Sequence, residues 1–508
     1  MMLQELGEID WLKQWARLSP RSLAFKDGDS GTTFSYDEIY RVSSRLASYL
    51  AERFSIQKGD RIALLATNEI ETVVLFFASF RLGSILVPAN FRLTGREIDH
   101  ILTDSGASLL VAQKALREKL TGITFKTSNL DFEDLQSWIA EALRAARKDI
   151  KAGKGETARE LAAGAHDPCM ILYTSGTTGA PKGALITPKM LHWNSLNTTL
   201  RLNVAQSDVF VSFLPFFHTG GWNVLLTPFV HRGAATILTK RFDAEKILAL
   251  CESEGATIMF GVPTTMEMMS RSPNFARVNL SKVRYAIVGG EPMPIELIHT
   301  WQKKGVPIRQ GFGLTEFGPN VFSLNEEDAL RKIGSIGFPN FYVETRIVDD
   351  QGEDVEPGKI GELILRGPVC TPGYWKNPQA TGEAIREGWF HTGDLVRVDG
   401  EGYYYVAGRK KDMFISGGEN VYPVEVERVL SQHPAIREVA VIGIPDSKWG
   451  EVGRAYIALD GKQTLSSEDV FAFCGDKLAK FKIPKEVRFL DSLPKGDSGK
   501  ILKRHLPQ

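Results

Sequence analysis

The chain has 508 residues, 43% hydrophobic and 24% charged, enough apolar material for roughly three to four domain-sized units and too much for a disordered protein. Lys plus Arg and Asp plus Glu both number 61, a formal net charge of zero, which gives no support for nucleic acid as a partner. The four cysteines, Cys169, Cys251, Cys370 and Cys474, lie far apart with no Cys-x-x-Cys pair, which argues against a zinc site or a disulfide framework and fits a reducing cytoplasm.

The first ten residues carry Glu5, Glu8 and Asp10 and no basic start before an apolar run, so no signal peptide is expected. From about 20 to 115, helical and strand patterns alternate. Residues 61–65 and 84–88 read as buried strands, with a helix over 71–77 between them closed by Gly83. Thr94 and Glu97 have capping-box spacing and open another helix before a strand at 109–111. Such repetition predicts parallel sheet with helices on its faces. Residues 135–164 are rich in Ala, Lys, Arg and Glu and read as a solvated helix plus a linker.

The run Met170-Ile171-Leu172 then delivers the chain to Tyr173-Thr174-Ser175-Gly176-Thr177-Thr178-Gly179-Ala180-Pro181-Lys182-Gly183. Glycines here permit positive φ and close approach of backbone to a ligand. Thr174, Ser175, Thr177, Thr178 and Lys182 supply donors. Successive amides in such a turn form a nest for anionic oxygens, and phosphate is the usual guest. The stretch is not a P-loop. Counting from Gly176, Pro181 stands where a second glycine is needed, and Lys182 is followed by Gly183 in place of Ser or Thr.

Residues 210–230 contain no formally charged residue and are long enough to cross a bilayer. Pro215, Pro228 and Gly220-Gly221 interrupt any helix there, so strand, turn and helix around a pocket are expected. Strands follow at 235–238, 257–260 and 285–288, the last turning at Gly289-Gly290-Glu291. Next comes Gln310-Gly311-Phe312-Gly313-Leu314-Thr315-Glu316, then short strands over 347–366 that predict a small barrel-like unit. Thr392-Gly393-Asp394, Gly408-Arg409-Lys410-Lys411-Asp412, Ser416-Gly417-Gly418 and Pro494-Lys495-Gly496-Asp497-Ser498-Gly499-Lys500 complete the series. Beyond Asp412, a helix over 423–430, a strand over 438–444 and a helix over 467–478 predict a small separate domain. Taken singly, these stretches are ordinary turns or solvated charge clusters.

In this order, from about Tyr173 to Lys500, they resemble the signatures of the adenylate-forming superfamily: acyl-CoA synthetases, luciferases and non-ribosomal peptide adenylation domains. The resemblance implies an α/β fold. A large N-terminal domain (1–408) would hold parallel-rich sheets, helices and the barrel-like subdomain. A hinge (409–412) would join it to a small, mobile α+β C-terminal domain (413–508). ATP, Mg²⁺ and coenzyme A are implied, with two half-reactions. A carboxylic acid attacks the α-phosphate to give acyl-AMP and pyrophosphate; the CoA thiol then takes the acyl group and AMP leaves.

The same resemblance implies residue roles. Thr174, Ser175, Gly176, Thr177, Thr178, Gly179 and Lys182 would hold phosphates. Gly289, Gly290, Glu291, Gln310, Gly311, Phe312 and Gly313 would lie against nucleotide and acyl group, Phe312 standing where tyrosine is usual. Thr315 would donate to the α-phosphate and Glu316 would hold Mg²⁺, a hard cation that takes oxygen ligands. Asp394 and Arg409 would reach the ribose, Lys411 would be the pivot, and Ser416, Gly417 and Gly418 would line the pantetheine tunnel. Lys500 would bridge the acid and the α-phosphate.

The stretch from Leu214 to Trp222 resembles the acyl-pocket motif, with Phe217, His218, Gly220 and Trp222 joined there by Gly313. Trp222 falls where long-chain enzymes carry a gating tryptophan. Gly220, Gly289, Gly290 and Gly313 suggest an open cavity walled by Phe216, Phe217 and Trp222. On these grounds the expected acid is a medium- or long-chain fatty acid, with an aryl acid second. A ligase loading a carrier protein and a non-catalytic sensor stay open, as does a homodimer. The setting is expected to be cytoplasmic, with no integral membrane segment and no peroxisomal address at Leu506-Pro507-Gln508.

Overall fold

The computed structural model describes residues 10–156, 161–174, 181–291, 293–461, 463–475, 477–496 and 501–507. Six expected site residues, Ser175, Gly176, Thr177, Thr178, Gly179 and Lys500, lie outside the described residues. The chain divides into two compact units: Met1–Glu344 with Arg366–Phe390, and Thr345–Leu365 with His391–Gln508.

Two sheets organise the first unit among the described residues. One runs Ser128–Asp131, Leu109–Ala112, Arg61–Leu65, Ile85–Pro88, Met170–Thr174, Lys182–Ile186. Its neighbours are parallel except the last pair, which is an antiparallel hairpin. Leu109–Ala112 and Ile85–Pro88 are buried along their whole length. Strands covered on both faces read as continuous apolar runs for this reason. The second sheet places Ile308–Phe312, Tyr285–Val288, Ile258–Gly261, Val209–Ser212, Ala235–Leu238 and Leu23–Asp27 side by side and parallel.

Helix Ile70–Leu82 spans the expected position and ends at Gly83, whose φ of 70° is the left-handed cap expected of glycine. The Thr94–Glu97 capping box forms at the start of Gly95–Ser105. Helix Phe132–Lys151 departs from the expected solvated element. Phe132, Leu135, Ile139, Leu143 and Ala146 are buried on one face, at the spacing of an apolar stripe. The uncharged 210–230 stretch folds as strand Val209–Ser212, π-helical turn Gly220–Val224 and helix Leu226–Arg232. Among the described residues no helix is long and apolar enough to cross a membrane.

The second unit, by itself, contains the Tyr404–Arg409 strand, paired with residues 394–398 of a neighbouring strand. It also holds an antiparallel sheet of Glu419–Val421, Phe414–Ser416, Gly450–Leu459 and Ile436–Asp446, with Glu486–Phe489 parallel to Gly450–Leu459. Helices Pro423–Leu430 and Ser467–Gly475 accompany this sheet, and Val426, Leu430, Val470 and Cys474 join its core.

A buried histidine in the first unit couples stability to pH. The His231 ring stacks on Trp11 with centroids 4.5 Å apart, and its Nδ1 lies 2.8 Å from Ser195 Oγ. Burial first, then His192 and Arg232, push its pKa down to about 4. The unfolded chain therefore binds this proton near pH 6.5 while the folded chain refuses it until about pH 4. Its contribution is present above pH 6.5 and is lost as pH falls through that window. His231→Asn should flatten the decline in Tm between pH 7 and 5, as followed by calorimetry; equal slopes in both proteins would contradict this.

Candidate active site

The two ends of the glycine loop are fixed by a hairpin. Met170–Thr174 pairs with Lys182–Ile186 in a register that sets Thr174 opposite Lys182. Gly183 has no room for a side chain, because a Cβ would stand 2.6 Å from the Ile171 side chain. A strap at 371–375 holds the hairpin: the Leu185 N–H donates to the Gly373 carbonyl and the Trp375 N–H to the Gly183 carbonyl, at 3.1 and 2.8 Å.

That strap also reaches the Thr315-Glu316 motif, where Thr315–Phe317 is a short 3₁₀ turn. The Thr371 N–H donates to the Glu316 carbonyl at 2.8 Å, and the Tyr374 hydroxyl donates to Glu316 Oε1 at 2.9 Å. Lys182 Nζ lies 5.5 Å from the centroid of the Tyr374 ring, within cation–π range. Ammonium, phenol and carboxylate are thus gathered at one place. A hard carboxylate oxygen there suits Mg²⁺, which is commonly held by one or two carboxylates together with substrate phosphates. Tyr374 is not among the expected site residues; no spacing in the chain marks it.

Val288 stands opposite Gln310 in parallel strands, so Gly289, Gly290 and Glu291 emerge beside Gly311, Phe312 and Gly313. This is the carboxyl edge of the sheet, where α/β folds bind ligands. Gln310 is 5% exposed; its Oε1 accepts from the Met293 N–H at 3.4 Å, and its Nε2 has no partner among the described residues. That leaves a preset donor. Phe312 meets Phe322 edge-on, centroids 5.8 Å apart.

Two of the expected pocket glycines have backbone reasons. Gly290 has φ +86°, and a Cβ on Gly313 would stand 2.1 Å from the Pro319 carbonyl oxygen. Neither requires a cavity to explain it. A Cβ on Gly220 would make only ordinary contact, 3.7 Å from the Phe260 ring.

Asn68, another residue the motifs do not mark, pins the acyl-motif segment. Its amide donates to the Leu214 carbonyl at 2.7 Å and accepts from the Phe216 N–H at 3.0 Å. Phe217 packs against His218 at 4.5 Å and edge-on to Phe91 at 5.3 Å. Trp222 is fully buried. Its indole N–H donates to the Phe216 carbonyl at 2.6 Å, its ring stacks on Phe216 at 4.5 Å, and Phe76 lies 5.1 Å away. The structure therefore places Trp222 in the core, held by Phe216 and Phe76.

Within the second unit, Asp394 is 4% exposed and sits opposite Arg409 on the neighbouring strand. Arg409 Nε meets its carboxylate at 2.8 Å, and Arg409 Nη1 donates to the Thr392 carbonyl at 3.0 Å. Lys411 is exposed in the turn Lys410–Asp412. Its neighbour Lys410 is tied to Asp350 and Glu362 at 2.8 and 3.2 Å. Ser416 pairs with Glu419, leaving Gly417 and Gly418 as the two central residues of a tight hairpin turn, with φ of +61° and +86°. Turns of this hand require positive φ at both positions.

Residues 12–375 match the family model described as AMP-binding enzyme, and 425–500 match the AMP-binding enzyme C-terminal domain. A feruloyl-CoA synthase of Amycolatopsis sp is 38% identical over 503 residues, covering 99% of this chain and 98% of that one. A long-chain-fatty-acid–CoA ligase of Mycobacterium tuberculosis is 36% identical over 504 residues, covering 98% and 97%. Among solved structures, the o-succinylbenzoate coenzyme A synthetase of Bacillus subtilis with ATP and magnesium superposes with a TM-score of 0.86 at 32% identity, over 98% of this chain and 99% of that one. Matches of this length and identity carry the fold and the reaction class together: the chain belongs to the AMP-binding enzyme family of the adenylate-forming superfamily and is an ATP-dependent, AMP-forming acid–thiol ligase.

Proposed function

We propose that this ligase activates an aromatic carboxylic acid of the cinnamate or benzoate type, with a medium- or long-chain fatty acid as the second reading. The observation that carries it is the locked Trp222. A long acyl chain needs a corridor past this position, and here the indole is fully buried, hydrogen-bonded and stacked. Phe217 and His218, whose rings pack 4.5 Å apart, would suit a flat ring. The identity to a feruloyl-CoA synthase supports the same order, while the identity to a long-chain-fatty-acid ligase keeps the second reading in play.

In this reading Thr174, Lys182 and the loop between them hold phosphates, and Thr315 donates to the α-phosphate. Gln310 Nε2 would offer a donor to the nucleotide or acyl group. Glu316, oriented by Tyr374, would hold Mg²⁺, which when bound neutralises phosphate charge. Lys500 bridges the reacting anions, Asp394 and Arg409 engage the ribose, 409–412 acts as hinge with Lys411 as pivot, and Ser416, Gly417 and Gly418 line the path of the CoA arm. A free thiol with pKa near 8.5 is a few per cent thiolate at neutral pH, so thioester formation needs no dedicated base. The four free cysteines support a cytoplasmic setting.

The test is kcat/KM across substituted cinnamates, benzoates and arylacetates against straight-chain acids, with CoA and a carrier protein as alternative acceptors. The best aryl acid should exceed every straight-chain acid at least tenfold. A climb of roughly fourfold per methylene, the worth of about 0.8 kcal/mol per buried CH₂, would favour the fatty acid.

A further inference from the structure

Three segments of the first unit meet in a buried network of amides: the helix after the phosphate hairpin, the π-helical turn of the acyl segment, and the loop that follows Glu316. Asn320 is its hub. Its Nδ2 donates to the Thr198 hydroxyl on helix Pro188–Arg201, and lies 3.2 Å from the carbonyls of both Asn223 and Val224. The Asn223 carbonyl also accepts from Asn194 Nδ2 at 2.6 Å. The Asn223 side chain donates to Thr219 Oγ1 at 3.1 Å and accepts from the Thr227 hydroxyl at 3.2 Å; Thr219 is the residue after His218. From the other side, Asn340 Nδ2 donates to the Asn320 carbonyl at 2.8 Å. Gly318, at φ +67°, seats the loop so closely on the helix that a Cβ would stand 3.0 Å from Asn194 Oδ1.

Hydrogen-bonded amides hold one another in one arrangement. Asn194 Oδ1 and Asn340 Oδ1 have no partner among the described residues, so the order here rests on the bonds to the Asn223, Val224 and Asn320 carbonyls and to Thr198. π-helical turns are uncommon and occur often at functional sites. Here the π turn offers two carbonyls to the side chain that closes the Glu316 loop. We propose that Asn320 is a positioning residue: it locks the Thr315–Glu316 loop to the π turn beside His218, so that the acid and the phosphate-side groups are held in register for acyl-AMP formation. This rests on the roles proposed above for Glu316 and the His218 segment. Displacements of about 1 Å at a reacting centre cost on the order of a hundredfold in rate, so a loosened lock should act on the first half-reaction alone.

The experiment compares wild type, Asn320→Ala and the isosteric Thr198→Val, which removes one acceptor and leaves the loop sequence intact. Hydrogen exchange of ligand-free protein should rise about fivefold or more in 219–224 and 313–320 together, with 436–446 and 450–459 unchanged. Acid-dependent pyrophosphate release should fall roughly 10- to 100-fold in Asn320→Ala, and roughly 3- to 10-fold in Thr198→Val. Half-saturating Mg²⁺ should rise severalfold, while thioester formation from supplied acyl-AMP stays within about threefold. Equal loss of both half-reactions, exchange rising across the whole unit, or wild-type behaviour in both variants would overturn the lock. If Asn320→Ala does not fold, Thr198→Val decides alone. Wild type that releases no pyrophosphate with any acid would sink the functional reading instead, and the paired exchange would still report on the lock.

Discussion

Lys500→Ala should reduce acid-dependent pyrophosphate release by roughly a hundredfold to a thousandfold, while thioester formation from supplied acyl-AMP and CoA survives within about threefold. The reason is electrostatic. Attack of a carboxylate on the α-phosphate brings two anions together, and a preorganised cation between them stabilises charge that the transition state concentrates. The loop that carries Lys500 has fixed ends. Lys495 and Ile501 form an antiparallel bridge, and the Leu502 N–H donates to the Pro494 carbonyl at 2.8 Å. Truncating one side chain in that loop leaves both closures intact, so the variant should fold and the loss should belong to chemistry. Rapid-quench assays of each half-reaction separate the outcomes. Equal loss in both halves would remove Lys500 from the proposed role.

Glu316→Gln should cost a similar factor, about a hundredfold to a thousandfold in acyl-AMP formation, and should raise the Mg²⁺ needed for half-maximal rate. The amide keeps the shape of the carboxylate, retains an oxygen for the Tyr374 hydroxyl now 2.9 Å from Oε1, and leaves the backbone bond from Thr371 untouched. Tm should therefore change little while the charge is gone. Tyr374→Phe is the graded companion. It preserves the ring under Lys182 and removes only the hydroxyl, so adenylation should fall roughly tenfold, the worth of a hydrogen bond to a charged group. If Glu316→Gln stays within threefold of wild type at every Mg²⁺ concentration, the carboxylate does not hold the metal.

The fold was legible wherever a local pattern and its burial agree. The stretches 62–65 and 109–112 are continuous apolar runs because helices or neighbouring chain cover both faces. The capping box at Thr94 and the left-handed Gly83 are local rules that tertiary structure had no reason to override. Helix Phe132–Lys151 was less legible. Its many Lys, Arg and Glu residues obscure a stripe of five buried residues, and cationic side chains on its polar face are taken up elsewhere: Arg147 pairs with Glu38 at 2.7 Å.

At the candidate site, residues inside contiguous motifs were readable and residues defined only by their partners were not. Tyr374 acquires its meaning from Glu316, 58 positions earlier, and from Lys182. Asn320 acquires its own from carbonyls some 97 positions away. Glycines were ambiguous in the other direction. Gly313, Gly417 and Gly418 invite a reading as space for ligands, and a Pro319 carbonyl and a two-residue hairpin also call for glycine at these positions.

The most direct test supplies purified protein with MgATP, a cinnamate-type acid and CoA, and quantifies every product by chromatography. AMP, pyrophosphate and the acyl-CoA thioester should form in equal amounts, with ATP untouched when the acid is omitted. Formation of ADP and inorganic phosphate, or ATP cleavage independent of any acid, would contradict the account.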